Sequence, residues 1–137
     1  MLVDDHAVVR GGLRALIESV EGWEVCAEAS DGHEALQAAA ELRPDLVVLD
    51  VSMPNLGGID TAIHLRKILH DVEVMILTMH HSDQLVGQAL RAGARGYLLK
   101  SEGEENLIKG LEALSRHEPY FSASVSETLL QGYLRSD

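Results

Sequence analysis

Short apolar runs alternate along this chain with longer stretches in which apolar residues recur every three or four positions, the mark of strands alternating with amphipathic helices. The pattern predicts β1 at 1–4, α1 at about 7–20, β2 at 23–29, α2 at 32–42, β3 at 45–50, α3 at 58–70, β4 at 73–78, α4 at 82–92, β5 at 95–99 and α5 at 104–115. Five successive βα units imply an α/β fold around one parallel sheet. In α1, Val9, Leu13, Leu16, Ile17 and Val20 share a face, while Gly11 and Gly12 each weaken the helix by roughly 1 kcal/mol relative to Ala. Asp31, Asp71 and Ser82 stand where a cap or turn is wanted, and Pro44 follows the last leucine of α2. Trp23 and Cys26 are expected in the core of β2. A central strand as short as β1 pairs poorly, so part of its length is expected to be missing. After α5, Pro119 stops the helix, and Val125, Leu129, Leu130 and Leu134 mark one face of a further short helix starting near Ser124 or Ser126.

Each strand-like run closes on a polar residue suited to phosphate chemistry. Asp4 and Asp5 follow Met1-Leu2-Val3, Asp50 follows Leu46-Val47-Val48-Leu49, Thr78 follows Val74-Met75-Ile76-Leu77, and Lys100 follows Tyr97-Leu98-Leu99. In a parallel sheet these residues collect at the carboxyl edge, where open α/β sheets bind ligands. Three carboxylates brought together repel one another unless a cation sits among them, and an all-oxygen set with room for water suits Mg²⁺ (or Mn²⁺). Asp50 ends the most apolar run and is the candidate nucleophile for a phosphoryl group. Asp4 and Asp5 are candidate metal ligands, and the backbone carbonyl of Ser52 is a further one. Lys100 would neutralise charge on the phosphoryl oxygens, and the Thr78 hydroxyl would hydrogen-bond to one of them. Singly, each position has a blander role: an Asp at a strand end caps or turns, a Thr supplies β propensity, a Lys reaches for water. It is their combination on four strand ends that is specific.

The chain has 137 residues, enough for one domain with one core. Its formal net charge of -11 opposes binding to nucleic acid or anionic membrane. A single cysteine, Cys26, excludes an internal disulfide, and no apolar stretch approaches a membrane span, so a cytoplasmic location is expected.

These motifs resemble the receiver domain of two-component response regulators over residues 1–115. The matching pieces are Val3-Asp4-Asp5-His6, Val48-Leu49-Asp50-Val51-Ser52-Met53-Pro54-Asn55-Leu56-Gly57-Gly58, Leu77-Thr78 and Gly96-Tyr97-Leu98-Leu99-Lys100. The resemblance implies a flavodoxin-like, doubly wound (βα)5 sheet of order 2-1-3-4-5. It further implies that Asp50 accepts a phosphoryl group from a sensor histidine kinase, that Asp5 binds Mg²⁺ with Asp4 assisting, and that Thr78 and Lys100 contact the phosphoryl oxygens. Tyr97 matches the family's switch aromatic, which makes α4, β5 and α5 the expected signalling face. Asp5-His6-Ala7-Val8-Val9-Arg10, Leu77-Thr78-Met79-His80 and Tyr120-Phe121-Ser122-Ala123-Ser124-Val125 are similar to the NarL/FixJ type, which carries a LuxR-type helix-turn-helix. Residues 116–137 are then expected to be a linker or short helix leading to that domain, through which alone DNA would be bound, with homodimers forming on phosphorylation.

Ser101 replaces the proline that follows the lysine in many receivers, Met79 is bulky beside the threonine, and Ser52 and His80 occupy positions that tune hydrolysis of the acyl phosphate in the family. His80-His81 read as solvated or capping residues, since adjacent residues point apart. Two other readings compete. A haloacid-dehalogenase-like phosphatase uses the same groups but needs a second Asp two residues after the nucleophile, where this chain has Ser52. A stand-alone receiver would act through protein contacts alone.

Overall fold

A computed structural model describes residues 1–51, 57–79 and 82–135. The elements run β1 (Leu2–Val3), α1 (Ala7–Glu18), β2 (Glu28–Ala29), α2 (Gly32–Leu42), β3 (Leu46–Asp50), α3 (Gly58–Ile68), β4 (Glu73–Thr78), α4 (Asp83–Arg91), β5 (Gly96–Leu99), α5 (Glu104–Ser115), β6 (Tyr120–Phe121) and α6 (Ala123–Arg135). All strand pairs are parallel, in the order β2-β1-β3-β4-β5-β6. The expected order 2-1-3-4-5 is therefore present, with a sixth strand added on the β5 edge.

Period-two alternation in the buried strands divides the core into two layers. Val47, Leu49, Val74, Ile76 and Tyr97 face Ala35 and Ala39 of α2, Ala62 and Leu65 of α3 and Val86 and Ala89 of α4. Val48, Met75, Leu77 and Leu98 face Ile17 of α1 and Leu107, Leu111 and Leu114 of α5. Caps fall where the sequence placed two of them: the Asp31 carboxylate accepts the Glu34 N–H at 2.9 Å, and the Ser82 hydroxyl accepts that of Leu85 at 3.1 Å.

Three expectations are corrected. Only Glu28–Ala29 of the predicted 23–29 pairs as β2, because β1 offers two residues to pair with, and Cys26 is exposed rather than in the core. Tyr120 and Phe121 form a strand that no periodicity announced, pairing with Gly96 and Tyr97. Along α6, Val125 is buried and Leu129 packs on the core, but Leu130 and Leu134 are 59% and 63% exposed. At 3.6 residues per turn Leu129 shares the face of Val125, whereas Leu134 falls on the opposite side.

Candidate functional site

Strand register builds the site. Leu2 and Val3 pair with Val48 and Leu49, so the next step along each strand sets Asp4 beside Asp50. Asp50 pairs with Leu77, whose successor is Thr78, and Thr78 pairs with Leu99, whose successor is Lys100. Four loops thus deliver their polar residues to one edge, and Asp4, Asp50 and Thr78 are all buried there.

Lys100 Nζ donates to Asp4 Oδ2 at 3.1 Å and to Asp50 Oδ2 at 3.4 Å. Burial works against its ammonium, yet the hydrogen bond to Asp4 and the charges of Asp50 and Asp4 outweigh it, and its pKa lies above the ordinary lysine value. Lysine is thus held charged between two buried carboxylates.

One oxygen each from Asp4, Asp5 and Asp50 and a nitrogen of His6 lie within 4.8 Å of one another. Asp5 Oδ1 is buried and accepts no hydrogen bond among the described residues, although His6 Nδ1 lies 3.1 Å away. An unbonded carboxylate oxygen facing two more carboxylates is the donor set a hard divalent cation takes, so these residues fit Mg²⁺. His6 also lies 3.1 Å from Asp4 Oδ1, and its backbone N–H donates to that oxygen at 2.8 Å. Its place in the cluster was not read from the sequence, though its adjacency to Asp4-Asp5 was the available signal.

Tyr97 is fully buried in the cluster that holds Val86 and Ala89 of α4 and Val125 of α6. Its hydroxyl has no hydrogen-bond partner among the described residues, and burial pushes its pKa up to about 12. Lys100, Ser101 and Glu102 form a 3-10 turn between β5 and α5, and Met79 is 60% exposed. The Ser52 carbonyl and the His80-His81 pair lie outside the described residues. A role for Glu102, whose carboxylate accepts the Leu99 N–H at 2.8 Å, had no signature in the sequence.

The architecture and its carboxyl-edge cluster of acids, Thr78 and Lys100 define a flavodoxin-like α/β domain of the phosphate-signalling kind. The chain belongs to the response regulator receiver domain family, whose model matches residues 1–112. It is 32% identical over 129 residues to the response regulator GacA of Pseudomonas aeruginosa, covering 94% of this chain and 60% of that protein. A two-component response regulator of the LuxR family from Aurantimonas sp. superposes with a TM-score of 0.93 at 36% identity, over 98% of this chain and 96% of that one. The isolated receiver domain of RcsB from Salmonella enterica serovar Typhimurium, solved with the phosphomimetic BeF3-, gives 0.85 at 25% identity over 93% and 94%, and RcsB is also known as dimers bound to DNA. The chain spans 60% of the length of GacA. No helix among the described residues is long and apolar enough to cross a membrane.

Proposed function

We propose that Asp50 is the phosphoacceptor of this receiver, that a sensor histidine kinase supplies the phosphoryl group, and that the acyl phosphate switches a DNA-binding transcription regulator. The observation that carries this reading is the contact of Lys100 with Asp50 and Asp4 beside an unbonded carboxylate oxygen of Asp5. Asp5, Asp4 and Asp50 would hold Mg²⁺, with the Ser52 carbonyl as a further ligand; Mn²⁺ suits the same donors. When bound, the cation neutralises charge gathering on the phosphoryl oxygens.

An Asp50 carboxylate oxygen attacks phosphorus, the bond from phosphorus to the donor's leaving atom breaks, and that atom leaves with the bonding pair. Lys100 turns from carboxylate to phosphoryl oxygen, and Thr78 moves in to donate a second hydrogen bond. Tyr97, one strand over and buried under α4, is the residue through which the shift of Thr78 reaches the surface. The domain undergoes self-phosphorylation and slow self-dephosphorylation and does not turn over as a phosphatase. Residues 1–115 constitute the receiver, and residues 116–137 lead toward a helix-turn-helix domain that alone binds DNA. Phosphorylation favours a homodimer, and the protein works in the cytoplasm.

Intact mass after incubation with Mg²⁺ and a small acyl phosphate tests this. One phosphoryl adduct that vanishes on chelation of Mg²⁺ supports the reading. Catalytic release of inorganic phosphate without an adduct would replace it with a haloacid-dehalogenase-like phosphatase.

A further inference from the structure

Helix α6 is attached to the turn that follows β5 and to the start of α4. At its start the Ser124 hydroxyl donates to Glu102 Oε2 at 3.2 Å, and Glu102 belongs to the turn that Lys100 begins. At its end Arg135 pairs with Asp83 in the first turn of α4, just beyond the Thr78 loop. Both partners of that second contact are exposed, so it adds little on its own. The first contact is built differently.

Glu102 uses each carboxylate oxygen for a different partner. Oε1 accepts the N–H of Leu99, the residue immediately before Lys100, at 2.8 Å, while Oε2 holds Ser124. The backbone of the same turn is pinned from α5, where Asn106 Nδ2 donates to the Glu102 carbonyl at 2.7 Å. Asn106 Oδ1 in turn accepts the hydroxyl of Tyr120 in β6 at 3.0 Å. A single carboxylate therefore fixes the main chain that aims Lys100 and, with its other oxygen, the first turn of α6.

We propose that Glu102 is a positioning residue for Lys100 and the joint through which the phosphoryl site and helix α6 act on each other. The proposal rests on the phosphoacceptor reading above. In the structure Lys100 bridges Asp4 and Asp50; a phosphoryl group on Asp50 gives it a new partner, and its turn must follow. Glu102 follows with it, and the hydrogen bond to Ser124 is the first contact outside the site to change. Coupling of this kind is reciprocal, so the docking of α6 also biases where Lys100 sits. The extension beyond α5 is thereby a reporter of the phosphorylation state, tied to the chemistry by one side chain.

Two variants separate the two limbs of the carboxylate. Ser124→Ala removes the bond from Glu102 to α6 together with a 3.4 Å hydroxyl contact to Ser122 and leaves the Leu99 limb in place, and Glu102→Gln keeps the shape while removing the charge that strengthens both bonds. Amide hydrogen exchange over residues 123–135 is measured with and without beryllium fluoride and Mg²⁺, alongside the rate of adduct formation from a small acyl phosphate. In the natural chain the beryllium complex should change exchange in 123–135 by at least about threefold, and Ser124→Ala should lose that response while still forming the adduct. Glu102→Gln should slow adduct formation at saturating donor by at least about threefold, with the half-saturating donor concentration unchanged, because Lys100 acts on the transferring group and not on donor binding. Exchange in 123–135 that ignores the beryllium complex in the natural chain, or responds equally in Ser124→Ala, overturns the coupling while leaving the receiver chemistry standing. Absence of any adduct in the natural chain removes the phosphoacceptor reading and the coupling with it.

Discussion

Lys100 meets Asp50 across 50 residues of sequence, its ammonium 3.4 Å from Oδ2 of the carboxylate at the end of β3. The strand register that sets Thr78 between them makes this contact a product of the sheet rather than of either loop. The lysine also satisfies Asp4, so one cation compensates two buried acids.

Removing that cation takes away the positive charge that both buried acids share. Lys100→Met is expected to cost about 2 kcal/mol of stability in urea unfolding without metal, and to slow adduct formation by roughly a hundredfold. Equal stability of the two proteins would show that the ion pairs contribute nothing.

Divalent metal should substitute for missing positive charge. Raising free Mg²⁺ to about 100 times its Kd should stabilise the natural chain by about 2.7 kcal/mol. Asp5→Asn should lose most of this gain, and its metal-free form should be no less stable than the natural chain, because one of three repelling carboxylates is gone. A thermal melt of both proteins with and without Mg²⁺ gives the answer, and an undiminished metal response in Asp5→Asn would remove Asp5 from the site.

Tyr97 carries a buried hydroxyl with no partner among the described residues and a pKa of about 12, raised by burial. The folded state holds this proton more tightly than the unfolded chain does. Its contribution is fully present below the unfolded pKa of about 10 and is lost as pH rises through 12, about 2 kcal/mol over that window. Lys100, also raised, loses its contribution in the same direction, above the ordinary lysine value. Tyr97→Phe should therefore flatten only the tyrosine share of the alkaline loss, and near neutral pH it should equal or exceed the natural chain in stability. An unchanged alkaline profile would contradict the burial argument.

Gly58 opens α3 directly against the end of β3. A Cβ there would lie 2.5 Å from Val51 Cα and 2.6 Å from the Asp50 carbonyl oxygen, backbone that has no way to turn aside. Gly58→Ala is expected to cost about 2–3 kcal/mol and to slow adduct formation as well, since the displaced main chain carries Asp50. Wild-type stability by urea unfolding would show that the helix can back away freely.

The strand ends were legible because each lies where an apolar run stops, and parallel topology then leaves one edge on which Asp4, Asp50, Thr78 and Lys100 can meet. Tyr120-Phe121 was not legible: two residues after Pro119 show no period, and what makes them a strand is the free edge of β5, a tertiary fact. The face of α6 was half read, since Val125 and Leu129 pack while Leu130 and Leu134, equally apolar, point to water. The joint at Glu102 was hidden because an acid after Lys100 reads as a solvated or capping residue until both of its oxygens are seen to be used. That sixth strand and helix also mean that the outer edge of β5 is paired at Gly96 and Tyr97 and that α4 and Tyr97 are partly covered from α6.

The most direct test of the account is to locate the phosphoryl group. After phosphorylation with Mg²⁺ and a small acyl phosphate, borohydride reduces an aspartyl phosphate to homoserine, which peptide mass spectrometry assigns to a residue. The account predicts homoserine at position 50 alone, absent when Mg²⁺ is chelated and absent in Asp50→Asn. Homoserine at position 4 or 5, or an adduct that survives in Asp50→Asn, would contradict it.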